Sequence, residues 1–180
     1  TPAPVVLARI RRAQTLWRKM KDGSMKLTQE SSASAAAVWA VLTDLDRFAE
    51  VADIVTLERL DDGTDFGVGT RWRETRRMFG KEASEEMWVT ELTPGVSYTV
   101  AAESRGTAYR SVMSVAATDS GSLLTTEFDG TGTNVITKAL GATVGKLFEG
   151  ATRSALQADL VAVARAAESD EAATPPAQAD

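Results

Sequence analysis

The sequence contains neither cysteine nor histidine. Those two absences exclude disulfide frameworks, cysteine nucleophiles, histidine acid-base catalysis, Ser-His-Asp triads and Cys/His zinc sites. Any chemistry must run on carboxylates, Arg or Lys, phenols or hydroxyls. A chain without cysteine also fits a reducing cytoplasm, the expected location. No uninterrupted apolar run approaches the roughly 20 residues that a membrane-spanning helix needs. Nucleotide and metal motifs are lacking too. Gly141-Ala142-Thr143-Val144-Gly145-Lys146-Leu147 imitates a phosphate-binding loop, but its glycines stand too close together. It also puts Leu147 where a Ser or Thr should hold magnesium, inside an amphipathic helical pattern. No carboxylates cluster at metal-ligand spacing beyond turns such as Asp61-Asp62. Neither cofactor nor metal is therefore expected.

What is present is a chain of 180 residues, 43% apolar and 25% charged, enough for one domain with its own core. Its charge is unevenly spread. Residues 1–24 hold six cations and one anion, for a charge of +5, and the remainder holds 14 cations and 24 anions, for −10. An acidic body repels polyphosphate, so nucleic-acid binding by the main domain is not expected. Val6, Ile10, Ala13, Trp17 and Met20 make one apolar stripe on a basic helix. That pattern suits peripheral membrane or protein contact through residues 6–20. The stripe packing on the acidic body is the plainer alternative, and a non-native leader ahead of Met25 is another. Residues 25–167 form the expected domain. Residues 168–180, rich in Ala, Glu, Asp and Pro, are expected to be a disordered acidic tail.

Along the body, Lys26–Ser31 alternates as a strand, and Ser34 caps a helix over Ala35–Asp44. A second short helix carries Leu45, Phe48, Ala49 and Ala52. The period then changes to two: Ile54–Leu60, Thr70–Phe79, Glu82–Leu92, Val96–Glu103, Ala108–Ala117 and Ser122–Asp129 are strands joined by short turns, an antiparallel meander. From Ile136 to Val163 the apolar residues return at helical spacing. The expected α+β fold is a curved seven-stranded antiparallel sheet wrapped around a long C-terminal helix, with two short helices between strands 1 and 2.

The run Ser34-Ala35-Ala36-Ala37-Val38-Trp39-Ala40-Val41-Leu42-Thr43-Asp44, with Leu45-Asp46-Arg47-Phe48, resembles the entry into the two small helices of the START/Bet v 1-like (SRPBCC) superfamily. Gly67-Val68-Gly69-Thr70-Arg71-Trp72 and Val89-Thr90-Glu91-Leu92-Thr93-Pro94-Gly95 are similar to later signatures of its polyketide cyclase/dehydrase and lipid-transport branch. The resemblance covers Lys26 to Ala166. One departure is Val51, where the family often carries Trp. The resemblance implies a helix-grip fold with a hydrophobic cavity between the concave sheet face and the long helix. Gly141, Gly145 and Gly150 interrupt that helix, at about 0.5–1 kcal/mol each relative to Ala. Room for a ligand and close packing against strands are the two readings.

The candidate cavity residues are Trp72, Met78, Trp88, Tyr98, Tyr109, Met113 and Phe128 on strands, with Leu140, Val144 and Phe148 on the helix; ordinary core is the alternative for each, given how often such side chains are buried. Alternation places Trp72, Glu74 and Met78 on one face and Arg71, Arg73, Arg77 and Phe79 on the other, without saying which is concave. Arg71, Arg73, Arg76 and Arg77 against Glu82, Glu85 and Glu86 suggest cross-strand ion pairs. Glu74, among apolar neighbours, is the candidate acid-base residue, with Tyr109 as a second. The leading expectation is binding or transport of a small hydrophobic molecule such as a lipid, polyketide or aromatic metabolite. The alternatives are a polyketide cyclase/aromatase-type enzyme and a protein-interaction module. Oligomeric state is not legible from the sequence.

Overall fold

The structure is a computed structural model; it describes residues 25–63, 65–78, 80–104, 107–132 and 143–173. The basic leader expected over residues 1–24 lies outside them.

Strand β1 (Met25–Ser31) alternates, with Met25, Leu27 and Ser31 buried and Lys26, Thr28 and Glu30 exposed. Helix α1 (Ala35–Thr43) starts because the Ser34 hydroxyl accepts the amide of Ala37 at 3.2 Å. It buries Val38, Val41 and Leu42. Asp44 then serves two helices. Its backbone N–H closes α1 on the carbonyl of Ala40, while its carboxylate accepts from the amide of Arg47 at 3.0 Å to open α2 (Leu45–Val51).

The meander follows: β2 (Thr56–Arg59), β3 (Arg71–Met78), β4 (Lys81–Thr93), β5 (Ser97–Ser104), β6 (Thr107–Thr118) and β7 (Gly121–Gly132). Strand β2 is shorter than the expected Ile54–Leu60. Even so, the amides of Val55 and Leu60 donate to the carbonyls of Thr75 and Arg71, at 2.8 Å each. The sheet order is β1-β7-β6-β5-β4-β3-β2, all antiparallel, so only the β1–β7 pairing joins strands distant in sequence. A register shift between Val89 and Glu91 inserts an extra residue in β4, a bulge of the kind that bends a sheet. At the β6–β7 hairpin Gly121 has φ +144°, and a Cβ there would lie 2.1 Å from the carbonyl oxygen of Ser31. Only glycine fits where this turn meets the end of β1.

The long helix α3 (Thr143–Ala173) lies against β1, β7 and the two short helices. Leu160, Val163, Ala164 and Ala167 are buried in one core with Leu42, Val89 and Leu124. The tail expected to be disordered over residues 168–180 is instead helical through Ala173, and its remaining residues 174–180 lie outside the described residues. Its carboxylates explain the difference. Glu168 accepts from the amide of Ser32 at 2.8 Å, Glu171 accepts from the amide of Ser34 at 3.0 Å, and Asp170 takes both arms of a fork from Arg47. Two of these negative groups thus meet backbone amides just ahead of α1, near the end where a helix carries partial positive charge. Gly150 is exposed, and an added Cβ would meet nothing within 4 Å, so close packing does not explain this glycine.

Candidate functional site

Between the concave sheet face and α3 lies a cavity of about 200 Å³ with a predominantly apolar lining. The pairing register settles which face is which. Trp72 opposes Met87, Glu74 opposes Glu85 and Arg76 opposes Ala83, and all six line the cavity. Two strands further on, Tyr98 opposes Met113 and Ala102 opposes Tyr109; these four also line it, as does Phe128 on β7. The rings of Tyr109 and Phe128 stack with centroids 5.8 Å apart. From α3 come Thr152, Ala155, Leu156 and Asp159.

Among the residues singled out in the sequence, Trp72, Glu74, Tyr98, Tyr109, Met113 and Phe128 therefore meet around one cavity. Trp88 is the exception. It opposes Arg71, one residue out of phase with Trp72, and so belongs to the convex face. Alternation alone separates the two tryptophans once the register is known. The side chains of Met78, Val144 and Phe148, and all of Leu140, lie outside the described residues.

The expected charge ladder is real on the convex face, where Arg71 and Arg73 pair with Glu86 and Arg77 with Glu82. Arg76 is not part of it. Standing at an even position beside Glu74, it turns inward, and its Nε donates to Glu74 Oε1. Its two terminal nitrogens grip Asp159 Oδ1 and Oδ2 at 2.9 Å each. The indole N–H of Trp72 donates to the second Glu74 oxygen at 3.3 Å. The Glu74 and Asp159 side chains are only 4% and 8% exposed, so this is one guanidinium held between two buried carboxylates on a predominantly apolar wall.

Sequence reasoning missed Arg76 and Asp159 as cavity groups. Signals for both were present. Arg76 shares the parity of Trp72 and Glu74, and Asp159 interrupts the apolar stripe of Leu156, Leu160 and Val163 at core spacing.

The electrostatics follow from burial. Desolvation raises the pKa of Asp159 above the usual carboxylate range, and Arg76 pulls against that rise. Burial also works against the charge of Arg76, but Glu74 and Asp159 outweigh it and hold the guanidinium pKa above its ordinary value. Tyr98 is pushed up by burial first and then by the nearby Glu74 and Asp159. It stays a neutral phenol, donating to the carbonyl of Leu42 at 3.4 Å. Among the described residues no group of acidic side chains could hold a metal ion. No described helix is long and apolar enough to cross a membrane.

Comparisons with known proteins agree with this architecture. The di-domain ARO/CYC StfQ from the steffimycin biosynthetic pathway superposes with a TM-score of 0.70 at 11% identity, over 83% of this chain and 52% of that one. This chain therefore spans about half of that protein. TTHA0849 from Thermus thermophilus gives a TM-score of 0.68 at 14% identity, over 84% and 100% of the two chains. The ZhuI aromatase/cyclase from Streptomyces sp. R1128 gives 0.66 at 18% identity, over 84% and 96%. At such identities the likeness is one of fold. No curated protein matches the sequence. The family model for polyketide cyclase/dehydrase and lipid transport matches residues 22–168. With the helix-grip sheet and its cavity, that match over most of the length makes the chain a member of the polyketide cyclase/dehydrase and lipid transport family.

Proposed function

We propose that this protein binds a small hydrophobic molecule, a lipid fragment, polyketide or aromatic metabolite, in the cavity between the sheet and α3. The observation that carries the reading is the cavity itself: aromatic and aliphatic side chains surround one compact polar cluster, the arrangement that buries an apolar guest and orients it by a single polar group. At about 200 Å³ the space lies below the roughly 300–1,000 Å³ of pockets that take drug-sized ligands. That favours a guest of one or two rings or comparable bulk.

A second reading is an enzyme of the aromatase/cyclase kind. It is favoured by the Glu74–Arg76–Asp159 cluster, since a guanidinium on the cavity wall can polarise a carbonyl and a carboxylate of raised pKa can exchange a proton. Two structurally similar proteins are described as aromatase/cyclases, which supports testing it.

The binding reading is tested by native mass spectrometry of freshly purified protein, before and after organic extraction. A defined adduct that solvent removes is the expected result. An empty protein that gains no thermal stability from hydrophobic compounds contradicts it; a guest at 100 times its dissociation constant should add about 2.7 kcal/mol. Should turnover of such a guest be found, Glu74→Ala or Tyr109→Phe is expected to lower kcat while leaving affinity largely intact. Loss of affinity alone returns the protein to the binding class.

A further inference from the structure

We infer that this cavity discriminates by charge: it accepts neutral or cationic guests and rejects those bearing a carboxylate. The inference rests on the binding reading above and names the ligand class of that same site. Its basis is the arrangement around Arg76. An arginine in an apolar cavity ordinarily invites an anion, because its planar fork matches a carboxylate. Here the fork is already occupied by Asp159, through a hydrogen bond from one terminal nitrogen and an ion-pair contact from the other, each 2.9 Å, and Nε is taken by Glu74. In formal charges, one positive between two negative leaves the cluster at −1. The lining residues Glu74, Arg76, Glu85 and Asp159 include three carboxylates and one cation.

A guest carboxylate could reach Arg76 only by displacing Glu74 or Asp159, stranding a buried charge without its partner. Entering without displacement, it would sit beside like charges on a predominantly apolar lining, which screens them less than open water does. A hydroxyl or ammonium meets the opposite situation. The carboxylates keep lone pairs to accept from it, and guanidinium N–H bonds not used in the cluster can serve a neutral carbonyl. Thr152 adds a further polar handle on α3: it lines the cavity, and its Oγ1 is shielded from solvent without a hydrogen-bond partner. A neutral guest's hydroxyl can donate to one of these carboxylates and accept from the guanidinium, and its carbonyl can accept from the guanidinium or from Thr152.

The experiment is a calorimetric titration of the full chain at neutral pH with three probes that share one aromatic body: 2-naphthylmethanol, 2-naphthylmethylamine and 2-naphthoate. The alcohol and the amine should bind, and the carboxylate should bind at least about tenfold more weakly. That gap should persist in 1 M salt, because a buried cluster is screened far less than surface charge. Glu74→Gln, which removes one buried negative charge, should narrow it. Carboxylate binding equal to or tighter than that of the alcohol overturns the inference while leaving the binding reading intact. A gap that vanishes in high salt also overturns it, by tracing the discrimination to the acidic exterior. Failure of all three probes to bind counts against the binding reading itself, and the inference falls with it. The wild-type comparison decides the matter even if Glu74→Gln does not fold.

Discussion

Arg76 is one residue out of phase with Arg71, Arg73 and Arg77, and that offset changes its environment entirely. Its neighbours at odd positions hold surface pairs, whereas Arg76 neutralises two carboxylates that solvent scarcely reaches. Arg76→Ala should therefore destabilise the protein by about 3–5 kcal/mol, since it leaves buried charges unpaired. The exposed pair of Arg77 and Glu82 predicts a contrasting result: Arg77→Ala should cost less than about 1 kcal/mol. Urea denaturation of the two variants checks both expectations, and comparable losses would mean that the inward cluster is not buried. At this scale the sequence was partly legible. Strand alternation isolates Glu74 among apolar neighbours, but a run of four arginines within seven residues looks like one surface ladder. Parity sets Arg76 apart from the others, and the register with β4 and the approach of α3 show that its face is the inward one. Asp159 lies 83 residues beyond Arg76 in the chain, and nothing local announces the pairing.

The long helix shows how local composition can mislead about an element's end. Glu168 to Ala173 is Ala- and Glu-rich, which suits disorder if the segment has no partners and suits a helix if it does. The partners are the amides of Ser32 and Ser34, just before α1 and more than 130 residues earlier in the sequence. The hydrogen bond from the Ser32 amide holds the Glu168 pKa down, and hydrogen bonds from Ser34 do the same for Glu171. A carboxylate depressed in the folded state stabilises it above the unfolded pKa, about 4.3 for Glu, and that stability is lost as pH falls through the lower folded value. Acidification below about pH 4 should accordingly loosen this junction, with the amides of Ser32 and Ser34 losing hydrogen-exchange protection before that of Leu124 in β7. Simultaneous loss at all three sites would contradict the local origin. On the same helix, Gly150 is exposed and unconstrained by neighbours, so Gly150→Ala should stabilise by about 0.5–1 kcal/mol, read as an increase in Tm. No gain would indicate that this turn of α3 resists a better helix former.

At the scale of the molecule, the order of elements was legible because each change of hydrophobic period falls at a turn: two short helices after one strand, a meander at period two, then a long apolar stripe. An antiparallel meander ending beside its first strand, with one long helix to cover, leaves few arrangements other than a curved sheet around that helix. The cavity was less legible. Its existence depends on how far the sheet curves and on small side chains such as Ala83, Ala102, Ser111 and Ala155 leaving space, and small residues carry no signal that distinguishes a cavity from close packing.

The central claim is that this space is a ligand site, and filling it is the most direct test. Ala155 projects from α3 into the lining and is partly exposed, so Ala155→Phe adds a ring where a guest would lie. The measurement is a calorimetric titration of 2-naphthylmethanol into wild type and Ala155→Phe, with circular dichroism confirming that both are folded. The account predicts binding of one molecule per chain in wild type and a loss of at least about tenfold in affinity in the filled variant. Equal affinity in the two proteins would put the ligand elsewhere and contradict the claim.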